Sequence, residues 1–319
     1  MTKIEWTHRP GTTGVTWNPV TGCTKISAGC KNCYAERMSK RLAGRCGYPE
    51  APHQFDVTLH PDRLDQPLKW KKPRTIFVCS MSDLFHRDVP IDYIIHVYQI
   101  IAACPQHTFI VLTKRPERIT EVLYGEEAGW YLGGGDYLPN VWHMASAENQ
   151  ETADRRIPEL LKLRDASCGW PVLGVSVEPM LGLVDLTEYL TIDGCHTMPD
   201  GSKYPALCCS SSCGTKLDFV IAGGESGPGA RPMHSAWVQG LRDQCQESGT
   251  DYFMKQWGEW FPRNQWEYSP DLVLPDDDAV HDGNTYVWND GELSHRVGRK
   301  AAGYLLDGIE WHEMPEVTK

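Results

Sequence analysis

A recurrence limits what this chain can fold into. Short apolar or β-branched segments, each running into polar residues, return along most of its length. They are Gly14–Asn18, Asp56–His60, Thr75–Ser80, Thr108–Thr113, Val141–Ala147, Pro171–Val177, Leu217–Ala222 and Tyr252–Lys255. Most successive starts lie roughly 30–40 residues apart, the length of a strand plus a helix. Helical periodicity fills several gaps, at Tyr34–Leu42, Ile91–Ala103, Asp154–Leu163 and Ser235–Glu247, the last with Ser235 placed to cap it. Strand alternating with helix predicts a parallel sheet clothed by helices. Six to eight such units in 319 residues predict an α/β fold, a full or partial (β/α) TIM-like barrel, with a doubly wound open sheet as the alternative.

Two stretches break the period. Residues 191–215 are rich in Cys, Ser, Gly and Pro and read as an insertion; beyond Pro262 the chain turns acidic and turn-rich. The expected organisation is a barrel over residues 1–261 and a C-terminal extension, 262–319, packed on it. The formal net charge is −11. That argues against coating nucleic acid by charge alone and leaves open a local basic groove. The basic run Lys69–Arg74 reads as a solvated loop in preference to a phosphate contact. The opening MTKIEWTHRPGTTG lacks the apolar core of an export signal, and no apolar run approaches a membrane span, so a soluble cytoplasmic protein is expected.

Twelve cysteines are many for such a chain, and several cluster. Clustering in a reducing compartment points to metal ligation or catalysis. Cys23, Cys30 and Cys33 form C-x6-C-x2-C between a predicted strand and helix. A structural zinc site is normally closed by four ligands, whereas three thiolates on a 4Fe–4S cluster leave one iron open. The odd count therefore favours a reactive cluster; zinc completed by a distant ligand is the alternative.

Active groups of a barrel sit where its strands end. Those ends carry His60, Ser80 with Asp83, Lys114 with Arg115, Glu148 with Asn149, Glu178, the run Gly223-Gly224-Glu225-Ser226, and Lys255 with Gln256. Lys114 and Arg115 suit a carboxylate or phosphate. Glu148, Asn149 and Glu178 suit ribose hydroxyls or substrate, with helix capping the alternative for Asn149. Glycines at 223 and 224 let backbone approach a ligand, and Glu225 can accept from an ammonium; a tight strand-to-helix turn explains them equally well.

The stretch VTWNPVTGCTKISAGCKNCYAERMSKRL resembles a family of phage and bacterial radical-SAM-like proteins known by their three-cysteine motif. The likeness continues in FVCSMSDLFHRDVP, HTFIVLTKRPERI, SVEPMLGLVDL, FVIAGGESGPGARPMH, FMKQWGEW and VGRKAAGYLLDG. The resemblance implies a barrel, a 4Fe–4S cluster on Cys23, Cys30 and Cys33, and S-adenosylmethionine cleaved by one electron from an external donor. Among distant functional relatives it implies a DNA repair enzyme, hence a nucleic-acid or nucleotide substrate. It also implies a dedicated partner protein, which keeps a non-enzymatic metal-binding role as an alternative, beside a cluster that works without S-adenosylmethionine. The superfamily mostly spaces its ligands C-x3-C-x2-C with an aromatic before the third cysteine. Here the first gap is six, Asn32 holds that place and Tyr34 follows. The expected catalytic side chains are Tyr34, Lys114 and Glu178; the expected cofactor contacts are Ser80, Asp83, Glu148, Asn149, Gly223, Gly224, Glu225 and Ser226. In the insertion, Cys195, His196, Cys208, Cys209 and Cys213 are five soft ligands for a second metal, either zinc or an auxiliary cluster.

Overall fold

The computed structural model describes residues 4–125, 138–166, 171–191, 216–269, 272–274 and 283–316. The second-metal residues Cys195, His196, Cys208, Cys209 and Cys213 lie outside them. Seven strands form one sheet: β1 (Thr13–Trp17), β2 (Arg74–Val78), β3 (Thr108–Thr113), β4 (Val141–Ser146), β5 (Val172–Val177), β6 (Phe219–Gly223) and β7 (Asp251–Gln256). Every neighbouring pair is parallel, and the order across the sheet is the order along the chain. A doubly wound sheet reverses its order at a switch point; an unbroken order is the winding of a barrel. The sheet curls into a half-barrel, because the 3-10 turn Glu5–Thr7 touches the first, second and last strands together. The ladder runs from β1 to β7 without closing between them.

Helices α1 (Tyr34–Leu42), α2 (Ile91–Ala102), α3 (Glu117–Tyr124), α4 (Gln150–Ala166) and α5 (Ser235–Ser248) fall between the strands. On the helix side Val111, Val175, Val220 and Met254 join Ile94, Tyr98, Ile157 and Leu241 in one core. On the inner side Ile110, Trp142, Met144, Phe219, Ile221 and Phe253 pack with Trp6, which plugs the N-terminal end of the half-barrel edge-on to Phe77. Each such burial contributes roughly 1.5–3 kcal/mol, so both faces demand apolar strands. The strand period of two carries the inner face onward to Lys114, Glu148, Glu178 and Lys255 at the C-terminal ends.

Three expectations change. Asp56–His60 adds no strand to the sheet; Thr58–Leu59 alone pairs, antiparallel, with Val20–Thr21. Both residues are only half buried and Pro61 ends the run, so the segment lacks the apolar faces of an interior parallel strand. Helix α3 was not foreseen, although Ile119, Val122 and Leu123 keep helical spacing after Pro116. The N-cap of α5 is His234 and not Ser235: His234 Nδ1 accepts from the Ala236 N–H at 3.1 Å. The Ser235 hydroxyl instead accepts from Asn264.

After β7, Trp260–Pro262, Leu293–Arg296 and Thr285–Val287 form a small antiparallel sheet. The chain then returns along β7, with Met254 N donating to Trp311 O at 2.8 Å and Glu313 N to Tyr252 O at 3.1 Å. This return covers the edge of the last strand. Among the described residues no helix is long and apolar enough to cross a membrane.

Candidate active site

The C-terminal strand ends enclose a cavity of about 310 Å3. Cys23, Cys30 and Cys33 all border it, together with Tyr34, Arg37, Ser80, Asp83, Lys114, Arg115, Glu178, Gly224, Glu225 and Ser226; Phe77 and Leu112 from the inner strand faces form apolar parts of its wall. In sequence these residues spread from Cys23 to Ser226, and the sequential winding brings them to one mouth.

The cysteine loop leaves the sheet after Gly22 and re-enters regular structure at α1, with Cys33 as the residue before the helix. Between them is a single 3-10 turn, Ala28–Cys30. Strand-end side chains reach this loop at three places. Arg115 Nη2 donates to Thr24 O at 3.2 Å while Nη1 stands 3.7 Å from Cys23 Sγ and 2.9 Å from Asp83 Oδ2. Glu148 Oε1 accepts from Gly29 N at 3.0 Å, and its Oε2 accepts from Lys114 Nζ at 3.1 Å and Arg156 Nη1 at 2.9 Å. Glu225 Oε2 accepts from Asn32 Nδ2 at 3.0 Å. Arg231 holds both Glu225 oxygens, from Nε at 2.8 Å and Nη2 at 2.6 Å.

These charges set the thiols apart. Burial, then the Asp83 carboxylate, pushes the Cys23 thiol up to about 11 against the pull of Arg115. Burial works against the Cys30 thiolate too, but Lys114 and hydrogen bonds at Ile26 and Ser27 outweigh it, so its pKa lies below the ordinary thiol value. Glu148 is fully buried, yet Lys114, Ser27, Arg156 and Gly29 overcome its desolvation and hold its carboxyl down at about 2. Among the described residues no three His, Cys, Asp or Glu side chains converge on a point where one ion would be held. The donor set is three soft thiols on one wall with two cations behind them, and that set fits an anionic iron–sulfur cluster.

The expected site residues divide. Tyr34, Ser80, Asp83, Lys114, Glu178, Gly224, Glu225 and Ser226 reach the cavity; Glu148 lies behind the loop, and Asn149 accepts from Thr152 N at 3.1 Å as the cap of α4. Gly223 ends β6, and a Cβ on Gly224 would stand 1.9 Å from Trp257 O, so that glycine answers to crossing backbone. Glu178 pairs with Lys255, whose Nζ is 2.6 and 2.9 Å from the two carboxylate oxygens. Sequence reasoning missed Arg156, Arg231 and Arg37. Arg156 left a signal: it falls on the buried stripe Thr152, Ala153, Ile157, Leu160 of α4, where a cation requires a carboxylate.

No protein of curated function matches the chain. Similar solved structures include a spore photoproduct lyase double mutant with bound AdoMet and dinucleoside spore photoproduct, 13% identical over 88% of this chain and 67% of that one, TM-score 0.40. A single mutant of spore photoproduct lyase is 14% identical over the same shares, TM-score 0.39. The profile of one family, described as protein of unknown function (DUF5131), matches residues 1–315, and the chain belongs to that family.

Proposed function

We propose that this chain is a radical-SAM-type iron–sulfur enzyme acting on a nucleotide or nucleic acid. The observation that carries the reading is that all three cysteines of one loop border a single cavity at the C-terminal ends of the strands. Cys23, Cys30 and Cys33 would hold a 4Fe–4S cluster, which with S-adenosylmethionine and one electron from an external donor would supply reductive sulfonium cleavage for hydrogen abstraction. Phe77 and Leu112 make part of the cavity wall apolar. Glu178 and Lys255 stand as an ion pair, with Nζ 2.6 Å from Glu178 Oε1. Tyr34 stands at the rim, 60% exposed, as a face for stacking.

The substrate class rests on charge. Residues 23–45 carry Lys25, Lys31, Arg37, Lys40, Arg41 and Arg45 against one acid, Glu36, in a chain of net charge −11. Glu36 is taken by Lys25 at 2.8 Å. Lys31, Lys40, Arg41 and Arg45 are exposed and have no acidic partner among the described residues. Unpaired cations beside an exposed aromatic are the recognition chemistry of a single strand. The double substitution Lys40→Glu with Arg41→Glu is expected to weaken single-stranded oligonucleotide binding by roughly tenfold at low salt. It should also flatten the salt dependence by on the order of one to two units of log–log slope. Unchanged affinity and slope would remove nucleic acid from the reading.

The test of the reaction class is anaerobic purification with iron, sulfide and zinc analysis. EPR of the reduced protein follows, with and without S-adenosylmethionine. A 4Fe–4S signal that moves on addition supports the proposal. A signal indifferent to S-adenosylmethionine assigns the cluster to Lewis-acid or electron-transfer work, and absence of iron overturns the enzyme in favour of a partner-binding protein.

A further inference from the structure

We infer that the strand-end charges around the cavity are positioning residues for the cysteine loop, one set to each cysteine: Asp83 with Arg115 for Cys23, Glu148 with Lys114 for Cys30, and Glu225 with Arg231 for Cys33. The inference rests on the proposed cluster for what the loop holds, but not for how the loop is held.

The loop has little else to hold it. Gly22 N bonds Met81 O and Cys23 N bonds Phe55 O; after that, Cys30 N donates to Ser27 O and Lys31 N to Ala28 O, both bonds inside the loop. Between Thr24 and Asn32 it is tied by the side chains named, which come from different strand ends, and besides them by Thr24 Oγ1 at 2.8 Å from His86 Nε2 and by Lys25 paired with Glu36 of α1. Arg115 and Lys114 follow β3, Glu148 follows β4, and Glu225 follows β6. Three separated points of attachment fix a segment against rotation, which one or two do not.

Each attachment is itself held. Asp83 accepts from Thr113 Oγ1 at 2.7 Å and Lys114 N at 3.1 Å besides Arg115. Glu148 is clasped by Arg156, and Glu225 also accepts from Arg231 N at 2.9 Å. Locked outer partners are what transfers a scaffold's precision to its ligands. The loop is cut to match: a Cβ on Gly29 would come within 3.0 Å of Glu148 Oε1 and 2.9 Å of Lys114 Nζ, so a residue without a side chain lets the backbone N–H rest on the carboxylate. Asn32 serves the third point twice over, donating also to Gly229 O at 2.8 Å. These contacts take up the oxygens of Glu148 and Glu225, which the sequence reading had offered to a cofactor.

The test uses loop-side substitutions that leave every charged side chain in place, Asn32→Ala and Gly29→Val, in the full chain. Hydrogen exchange followed by mass spectrometry over residues 23–33 is expected to quicken roughly five- to tenfold in each, as for loss of a charge-assisted hydrogen bond. Protection in β3, β4 and β6 should stay at the wild-type level. Iron retained after anaerobic reconstitution should fall by about half or more. Wild-type exchange over 23–33 in both variants overturns the inference. Faster exchange in the variants of a protein whose wild type takes up no iron sustains the holding role and overturns the cluster instead.

Discussion

Replacing Cys23, Cys30 or Cys33 by Ala is expected to bring iron and sulfide content to background and to abolish S-adenosylmethionine cleavage, whichever of the three is changed. The loss is complete because three thiolates are the smallest protein set that leaves one iron open, and two do not hold the cluster against solvent. Two controls separate this from damage to the fold: Cys46→Ala, at an exposed position, and Cys245→Ala, inside the helix-side core, keep their iron. The thiols also predict a pH dependence. Ligation needs thiolates, so binding releases protons and strengthens as pH rises. The Cys23 thiol, pushed up to about 11 by burial and Asp83, still holds its proton at neutral pH, whereas Cys30 is eased toward the thiolate by Lys114. Iron uptake measured from pH 6.5 to 9 should therefore keep rising across the whole range. A flat profile, or any single variant with full iron and an unaltered spectrum, removes that cysteine from the ligand set.

The period of strand and helix carried most of the fold, because burial on both faces leaves a parallel strand few choices of residue. Thr108–Thr113 and Tyr34–Leu42 were read to the residue. Asp56–His60 misled because a β-branched run looks the same whether it enters a sheet or makes a two-residue bridge; the difference lies in what buries it. The site was half legible. The three cysteines and the strand-end charges announce themselves by spacing and by position. What each charge faces is a tertiary fact: nothing local pairs Glu225 with Asn32, 193 residues apart, or says that Glu148 bonds Gly29 across 119. A strand-end carboxylate reads the same whether it meets a ligand or the loop that would hold one.

The largest effect on stability is expected at Glu148, which is fully buried, with Arg156 1% exposed beside it. Glu148→Ala leaves the guanidinium of Arg156 with Ser146 O, 2.6 Å away, as its partner and takes the counter-charge from Lys114. Stranding a buried cation costs about 3–5 kcal/mol. That is a large share of the 5–15 kcal/mol by which domains are stable. Arg156→Met should cost less, because Glu148 keeps Lys114 and the Gly29 amide. The double variant Glu148→Met with Arg156→Met should recover much of the single loss, as apolar replacements of buried pairs do. The pair also sets an acid limb. The folded carboxyl is depressed from an ordinary 4.5 to about 2. Its contribution is therefore complete above pH 4.5 and is lost as pH falls from there toward 2. Urea titrations at pH 7 and pH 3 decide both points: the wild type should lose stability between them, and Glu148→Gln, having no proton to take up, should lose less. Additive single and double costs, or equal acid losses in wild type and Glu148→Gln, would show that the cation is neutralised elsewhere. The loop at Gly29 would then need a different anchor.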